Sequence, residues 1–181
     1  YAQPRAVGAR IGSGFEVSYQ HSVGKKNMVN VDLGMIYGKF MATSPTIKMG
    51  GMSFHSANSF YNDGIGVEGA VTYDWIDPFG TKIPWNYRGN WNWYMGVGGA
   101  IGYVNTYDYI GKERVSDDNG FVGAAFRIGV EYNFWFPLQL SFDWRPVIGP
   151  CFSSSKDYSY VAYYTSGLYA GALCLGVRYK F

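Results

Sequence analysis

Read backwards from Phe181, the chain places an apolar or aromatic side chain at every second position: Tyr179, Val177, Leu175 and Leu173. Lys180, Arg178, Gly176 and Cys174 lie between them. A repeat of two belongs to a β-strand with one greasy face and one polar or small face. The same alternation recurs upstream and predicts strands over residues 168–181, 138–145, 126–134, 91–103, 65–75 and 28–37. Residues 6–22 read as one long strand or as two folded at Gly12-Ser13-Gly14. Bacterial barrels need an even strand number, which favours two and gives eight in all.

The links between these strands fall into two classes. Residues 24–27, 77–90 and 135–137 alternate along the chain with the longer links 38–64, 106–120 and 147–167, the tight first hairpin being the exception. Short turns at one end and long loops at the other are the mark of an outer-membrane barrel, with both termini on the periplasmic side. The expected fold is therefore all-β: one eight-stranded antiparallel transmembrane β-barrel filling residues 1–181, with short periplasmic turns and long extracellular loops.

Alternation alone does not say which face looks at lipid, because a soluble barrel has the same period. The face opposite the apolar one decides. It carries Arg10, Glu16, Asp32, Glu68, Asp74, Arg127, Glu131, Asp143, Arg145, Arg178 and Lys180, of nearly balanced sign and spread over nearly every strand. Gly and Ala recur beside them, leaving room for long Arg side chains to cross a narrow lumen. An eight-stranded barrel is only wide enough for side chains to fill it. These residues are expected to form an interior ion-pair network that plugs the lumen, since an unpaired buried charge costs several kcal/mol. Val17, Val29, Val31, Leu33, Val71, Val97, Ile101 and Ile128 are among those expected to face lipid. Tyr19, Trp75, Trp91, Trp93, Tyr132, Phe134, Trp144, Tyr179 and Phe181 form an aromatic girdle towards the short turns, and Tyr37, Tyr103 and Tyr169 one towards the long loops.

Composition agrees. The 181 residues include 17 Tyr, 12 Phe, 6 Trp and 25 Gly with 15% charged, richer in aromatics and glycine than soluble chains. Net charge is +2, and the basic clusters Lys25-Lys26 and 112–114 are too short to track a phosphate backbone, which argues against nucleic acid. The longest uncharged stretch, 89–107, is too crowded with Gly and Asn for a membrane helix. A start at Tyr1 is what removal of a signal peptide would leave.

Several runs carry a family likeness: Arg5-Ala-Val-Gly-Ala-Arg-Ile-Gly, Val17-Ser-Tyr-Gln-His21, Gly129-Val-Glu-Tyr-Asn-Phe, Pro137-Leu-Gln-Leu-Ser-Phe-Asp-Trp-Arg-Pro146 and Gly176-Val-Arg-Tyr-Lys-Phe181. The chain resembles the small outer-membrane β-barrel domain proteins of Bacteroidota, similar in architecture to the OmpX and OmpA-barrel group. The resemblance spans all but the long loops. It implies location in the bacterial outer membrane, contact with its lipid, and a C-terminal address, Leu175, Val177, Tyr179 and Phe181, read by the barrel-insertion machinery. It implies little about activity, since a shared barrel does not confer one.

Chemistry is sparse. His21 beside Ser22 falls at the periplasmic end of its strand, and His55, among Ser53, Ser56 and Ser59, lacks a nearby carboxylate. No metal or phosphate motif is present, and the glycines of 96–102 alternate within a strand instead of opening a helix. No catalytic, cofactor or metal residue is expected. Pairing Leu138 opposite Phe181 would leave Cys151 and Cys174 on the order of 20 Å apart, which disfavours a disulfide. Phe40, Met49, Met52, Phe54 and Phe60 in one long loop and Tyr158, Tyr160, Tyr163 and Tyr164 in another are candidate partner contacts, or pack on each other as a cap. The expectation is a non-enzymatic barrel acting as a structural or accessory subunit of a larger outer-membrane assembly. The alternatives are an outer-leaflet lipid-modifying hydrolase of the lipid A deacylase kind and a free-standing adhesion-type barrel.

Overall fold

The structure, a computed structural model, describes residues 5–12, 14–45, 56–77, 89–110, 113–153, 160–164 and 173–181. Ten strands run β1 (Arg5–Ile11), β2 (Gly14–Ser22), β3 (Asn27–Pro45), β4 (Ser56–Ile76), β5 (Gly89–Ile110), β6 (Glu113–Phe134), β7 (Leu138–Trp144), β8 (Val147–Ser153), β9 (Tyr160–Tyr164) and β10 (Leu173–Lys180). Every pairing is antiparallel, β10 pairs with both β7 and β1, and β5 pairs with β6, so the sheet closes. The ambiguous first segment is two strands, with the Gly12 N–H donating to the Gly14 carbonyl at 3.0 Å across the turn.

Ten strands make eight staves. Strands β7 and β8 lie in one unbroken register along β6, Trp144 opposite Ile128 and Val147 opposite Ala125. Between them Pro146 accepts from the Phe126 N–H at 2.9 Å but has no N–H to return, so the ladder is interrupted while the stave continues. The last stave is β9 with β10.

Following partners around the barrel fixes its shape. Phe142 faces Leu175, then Ile11, Phe15, Met35, Val67, Tyr103 and Gly120, and the circuit returns to the starting stave at Phe152, ten residues above its origin. Ten residues of climb at ~3.3 Å each, over eight inter-strand steps of ~4.8 Å, tilt the strands by roughly 40° and give a backbone radius of about 8 Å. Such a lumen holds side chains and little else.

Burial is inverted relative to a soluble protein. Arg10 is 0% exposed while Ile101, on the wall, is 64% exposed, and Val17, Leu33, Val71, Val97 and Ile128 all face outward. With the backbone hydrogen-bonded in a closed circuit, this wall suits hydrocarbon. Near the short turns, Trp91 packs on Tyr132 at 4.9 Å, Tyr132 edge-on to Phe134 at 4.7 Å, and Phe134 against Phe136 at 5.0 Å. Trp144 does not belong to this girdle. It ends β7, six residues above Leu138, on the wall between Ile128 and Leu173.

Three expectations change. Much of 38–64, 106–120 and 147–167 is strand: β3 and β4 stay paired to Pro45 and Ser56, β5 and β6 to Ile110 and Glu113, and β8 pairs with β9. These segments look like loops because Asn, Asp, Ser and Gly interrupt them, but above a membrane a polar side chain is compatible with strand on both faces. Phe40, Phe60, Tyr160, Tyr163 and Tyr164 are therefore strand residues, whereas Met49, Met52, Phe54 and Tyr158 lie outside the described residues. The last register is also displaced, with Leu138 facing Tyr179 instead of Phe181.

Candidate functional site

The chemistry-bearing side chains converge in the lumen, where strand parity and shear arrange them in layers. The middle layer is ionic. From β1, Arg10 Nη1 donates to Glu16 of β2 at 2.7 Å and to Asp32 of β3 at 2.8 Å, and Arg10 Nη2 donates to Asp143 of β7. From β6, Arg127 donates to Asp74 of β4 at 3.3 Å and to Asp143 at 3.0 Å. Arg145, at the break between β7 and β8, reaches Asp32 at 2.9 Å, Glu68 of β4 at 2.9 Å, and Glu16. Asp32 is the hub, with all three guanidiniums within 4 Å. Six staves are thus tied across the lumen by charge-assisted hydrogen bonds.

Glycine makes this layer possible. A Cβ at Gly96 would strike the Asp74 carboxylate, one at Gly129 would meet Asp143 and Tyr94, and one at Gly176 would meet Ser141 and the Arg10 stem. The small residues of β5, β6 and β10 therefore mark where longer side chains cross.

Below, towards the short turns, the layer is mostly neutral. Glu131 accepts from Gln139 at 2.7 Å, Asn133 at 2.9 Å, Asn92 at 3.1 Å and Gln20 at 3.4 Å. Arg178 donates to the hydroxyls of Ser18 at 3.0 Å and Ser141 at 3.1 Å, and Lys180 to the Phe134 carbonyl at 3.4 Å. Glu131, Arg178 and Lys180, placed in the ion-pair network by sequence, are held instead by amides, hydroxyls and backbone. They sit below the ionic layer and make no ion pair within 4 Å with its members.

Above the ionic layer the lumen is apolar: Ile36, Ala70, Ala100, Val104, Phe121, Ala125 and Val147 form one buried cluster. Sequence reasoning missed it, and it also missed Tyr94. Its side chain is wholly buried, its hydroxyl donates to Asp143 at 3.0 Å, and its ring centroid lies 5.1 Å from the Arg127 guanidinium carbon. The signal was available in both cases. Tyr94 shares the parity of Asn92 and Gly96, and Ile36 that of Asp32.

The remaining candidates are dispersed. Leu175, Val177, Tyr179 and Phe181 all face outward, and the Phe181 backbone exchanges hydrogen bonds of 3.1 and 2.8 Å with Arg5 to complete the closure. His21 is half-buried on the wall against Tyr19, 3.4 Å from its hydroxyl, and His55 lies outside the described residues. Cys174 is a buried free thiol whose backbone faces Asp143. Among the described residues no His, Cys, Asp or Glu cluster has the arrangement of a metal site.

No protein-family model and no characterised protein matches the chain in sequence. Its fold is similar to those of two solved outer-membrane proteins. A major outer membrane protein from Thermus thermophilus shares 13% identity with 100% of each chain covered, at a TM-score of 0.50. Ail, the attachment invasion locus protein of Yersinia pestis, solved in complex with the heparin analogue sucrose octasulfate, shares 14% identity over 98% of this chain and 94% of that one, at a TM-score of 0.44. The closed circuit, the lipid-facing wall and this fold define a bacterial outer-membrane β-barrel.

Proposed function

We propose that this barrel is a closed, non-enzymatic anchor that serves as a structural or accessory subunit of a larger outer-membrane assembly, working through its wall and its external strands. The observation that supports this reading is the lumen, where three guanidiniums and five carboxylates from six staves interlock across the full width. Such a network gives every one of these charged groups at least one partner of opposite sign and fills the lumen with side chains, which argues for work done outside it. On the external side β3 and β4 stay paired nine residues beyond Ile36, the last β3 residue that meets β2. One domain, eight staves and a filled interior also support kinship with the OmpX and OmpA-barrel group.

Affinity purification of the tagged protein from its own outer membrane in mild detergent tests the role. The expected result is a stoichiometric larger barrel or lipoprotein co-eluting with it. A monomer that brings down nothing would remove the accessory-subunit reading.

A further inference from the structure

The wall is not uniformly convex. Between β4 and β7 it carries an apolar groove of about 270 Å³ whose sides include Trp75, Val97, Phe126, Ile128, Trp144 and Pro146. Trp75, Met95, Ile128 and Trp144 occupy one continuous ladder row. At a strand tilt of roughly 40° that row climbs about 9 Å from β4 to β7, and Pro146 stands about 5 Å higher. The groove therefore rises roughly 14 Å, diagonally from the periplasmic end towards the bilayer middle. Its volume fits about nine methylene-sized groups, if each is taken as close to the ~30 Å³ of a water molecule.

The foot of the groove is basic. Trp75 faces Asn27, and the preceding residue, Lys26, accepts the Ile76 N–H at 2.7 Å, so the Lys25-Lys26 turn lies directly beneath Trp75. Lys25 and Lys26 are both exposed, and the nearby Asp77 is half-buried. An apolar channel climbing away from an exposed cationic turn has the polarity of a lipid whose phosphate lies at the periplasmic surface and whose tail points inward. A lipid of the outer leaflet would need the opposite order.

We propose that this face binds one anionic diacyl phospholipid of the periplasmic leaflet, with its phosphate at Lys25 and Lys26 and one acyl chain in the groove below Pro146. Interfacial lysines each contribute about a fivefold preference for anionic lipid, so two give a discrimination on the order of tenfold or more. The indole of Trp75 lies at the level between headgroup and tail where amphipathic rings settle.

The test uses the full barrel, delipidated and re-exposed in mild detergent to phosphatidylglycerol or phosphatidylcholine of identical chains, with retained lipid counted by native mass spectrometry. sn-Glycerol 3-phosphate serves as a headgroup-only competitor. Two wall variants accompany the wild type, K25Q/K26Q on the exposed turn and Val97→Phe to fill the groove, each checked for folding by its heat-dependent gel shift. The expected result is one phosphatidylglycerol per barrel, preferred on the order of tenfold. K25Q/K26Q should lose that preference, and Val97→Phe should lose both lipids. Equal retention of the two lipids by the wild type, full displacement by glycerol phosphate, or wild-type behaviour in either folded variant would overturn the proposal.

Discussion

At the scale of single residues, the lumen separates charges that need each other from charges that do not. Asp143 receives both Arg10 and Arg127 as well as the Tyr94 hydroxyl. Asp143→Ala strips a partner from two buried guanidiniums at once and should cost about 3–5 kcal/mol. Arg178 is as deeply buried but held by neutral groups, so Arg178→Met, which keeps its bulk, should cost only about 1 kcal/mol. Urea unfolding midpoints in liposomes compare the two, and equal losses would contradict the layered assignment. Gly96→Val drives a side chain into Asp74 and should cost about 1–3 kcal/mol by overpacking. Parity made the inward face readable from sequence, which is why Arg10, Glu16, Asp32 and Asp143 were found together. Height was not readable. Which inward residues share a level depends on the ten-residue shear, a property of the closed sheet, so Glu131 and Arg178 could not be told from the ionic layer.

At the scale of elements, Pro146 interrupts the ladder where the stave of β7 and β8 continues along β6. Phe126 donates to Pro146 and receives nothing back. In hydrocarbon an unanswered carbonyl is costly, so Pro146→Ala should add a hydrogen bond of about 0.5–1.5 kcal/mol and raise the unfolding midpoint. Hydrogen exchange at residue 146 then checks the mechanism: its new amide should be protected as well as that of Phe126, and a fast-exchanging amide would show that the bond does not form. The Gly24 turn provides the opposite case. Its φ of 95° lies where a side chain is strained although nothing crowds the position, so Gly24→Ala should cost about 1 kcal/mol through backbone conformation alone. Strand number and order were legible because apolar alternation survives wherever one face meets lipid. Above the membrane neither face does, so Asn, Asp, Ser and Gly hid the upper halves of β3 to β6, and β8 and β9 are short runs without an alternating polar face.

At the scale of the whole molecule, the lumen is filled at two levels by unlike means. The ionic layer spans the width at the level of Arg10 and Asp32, and the apolar cluster of Ile36, Val104, Phe121 and Val147 sits above it. A path for ions must therefore cross both the charged lattice and the apolar layer, and weakening one leaves the other. The expected conductance in planar bilayers follows that order. Wild-type barrel should show no steady current, and Asp143→Ala should remain silent, although its lattice is cut, because the apolar layer still excludes water. Phe121→Ala with Ile36→Ala should also stay closed, held by the intact ion pairs. Only the combination of Asp143→Ala with both apolar truncations should give channel openings. A steady current from the wild type would refute occlusion outright. Openings from Asp143→Ala alone would assign the seal to the ion pairs and reduce the apolar layer to packing.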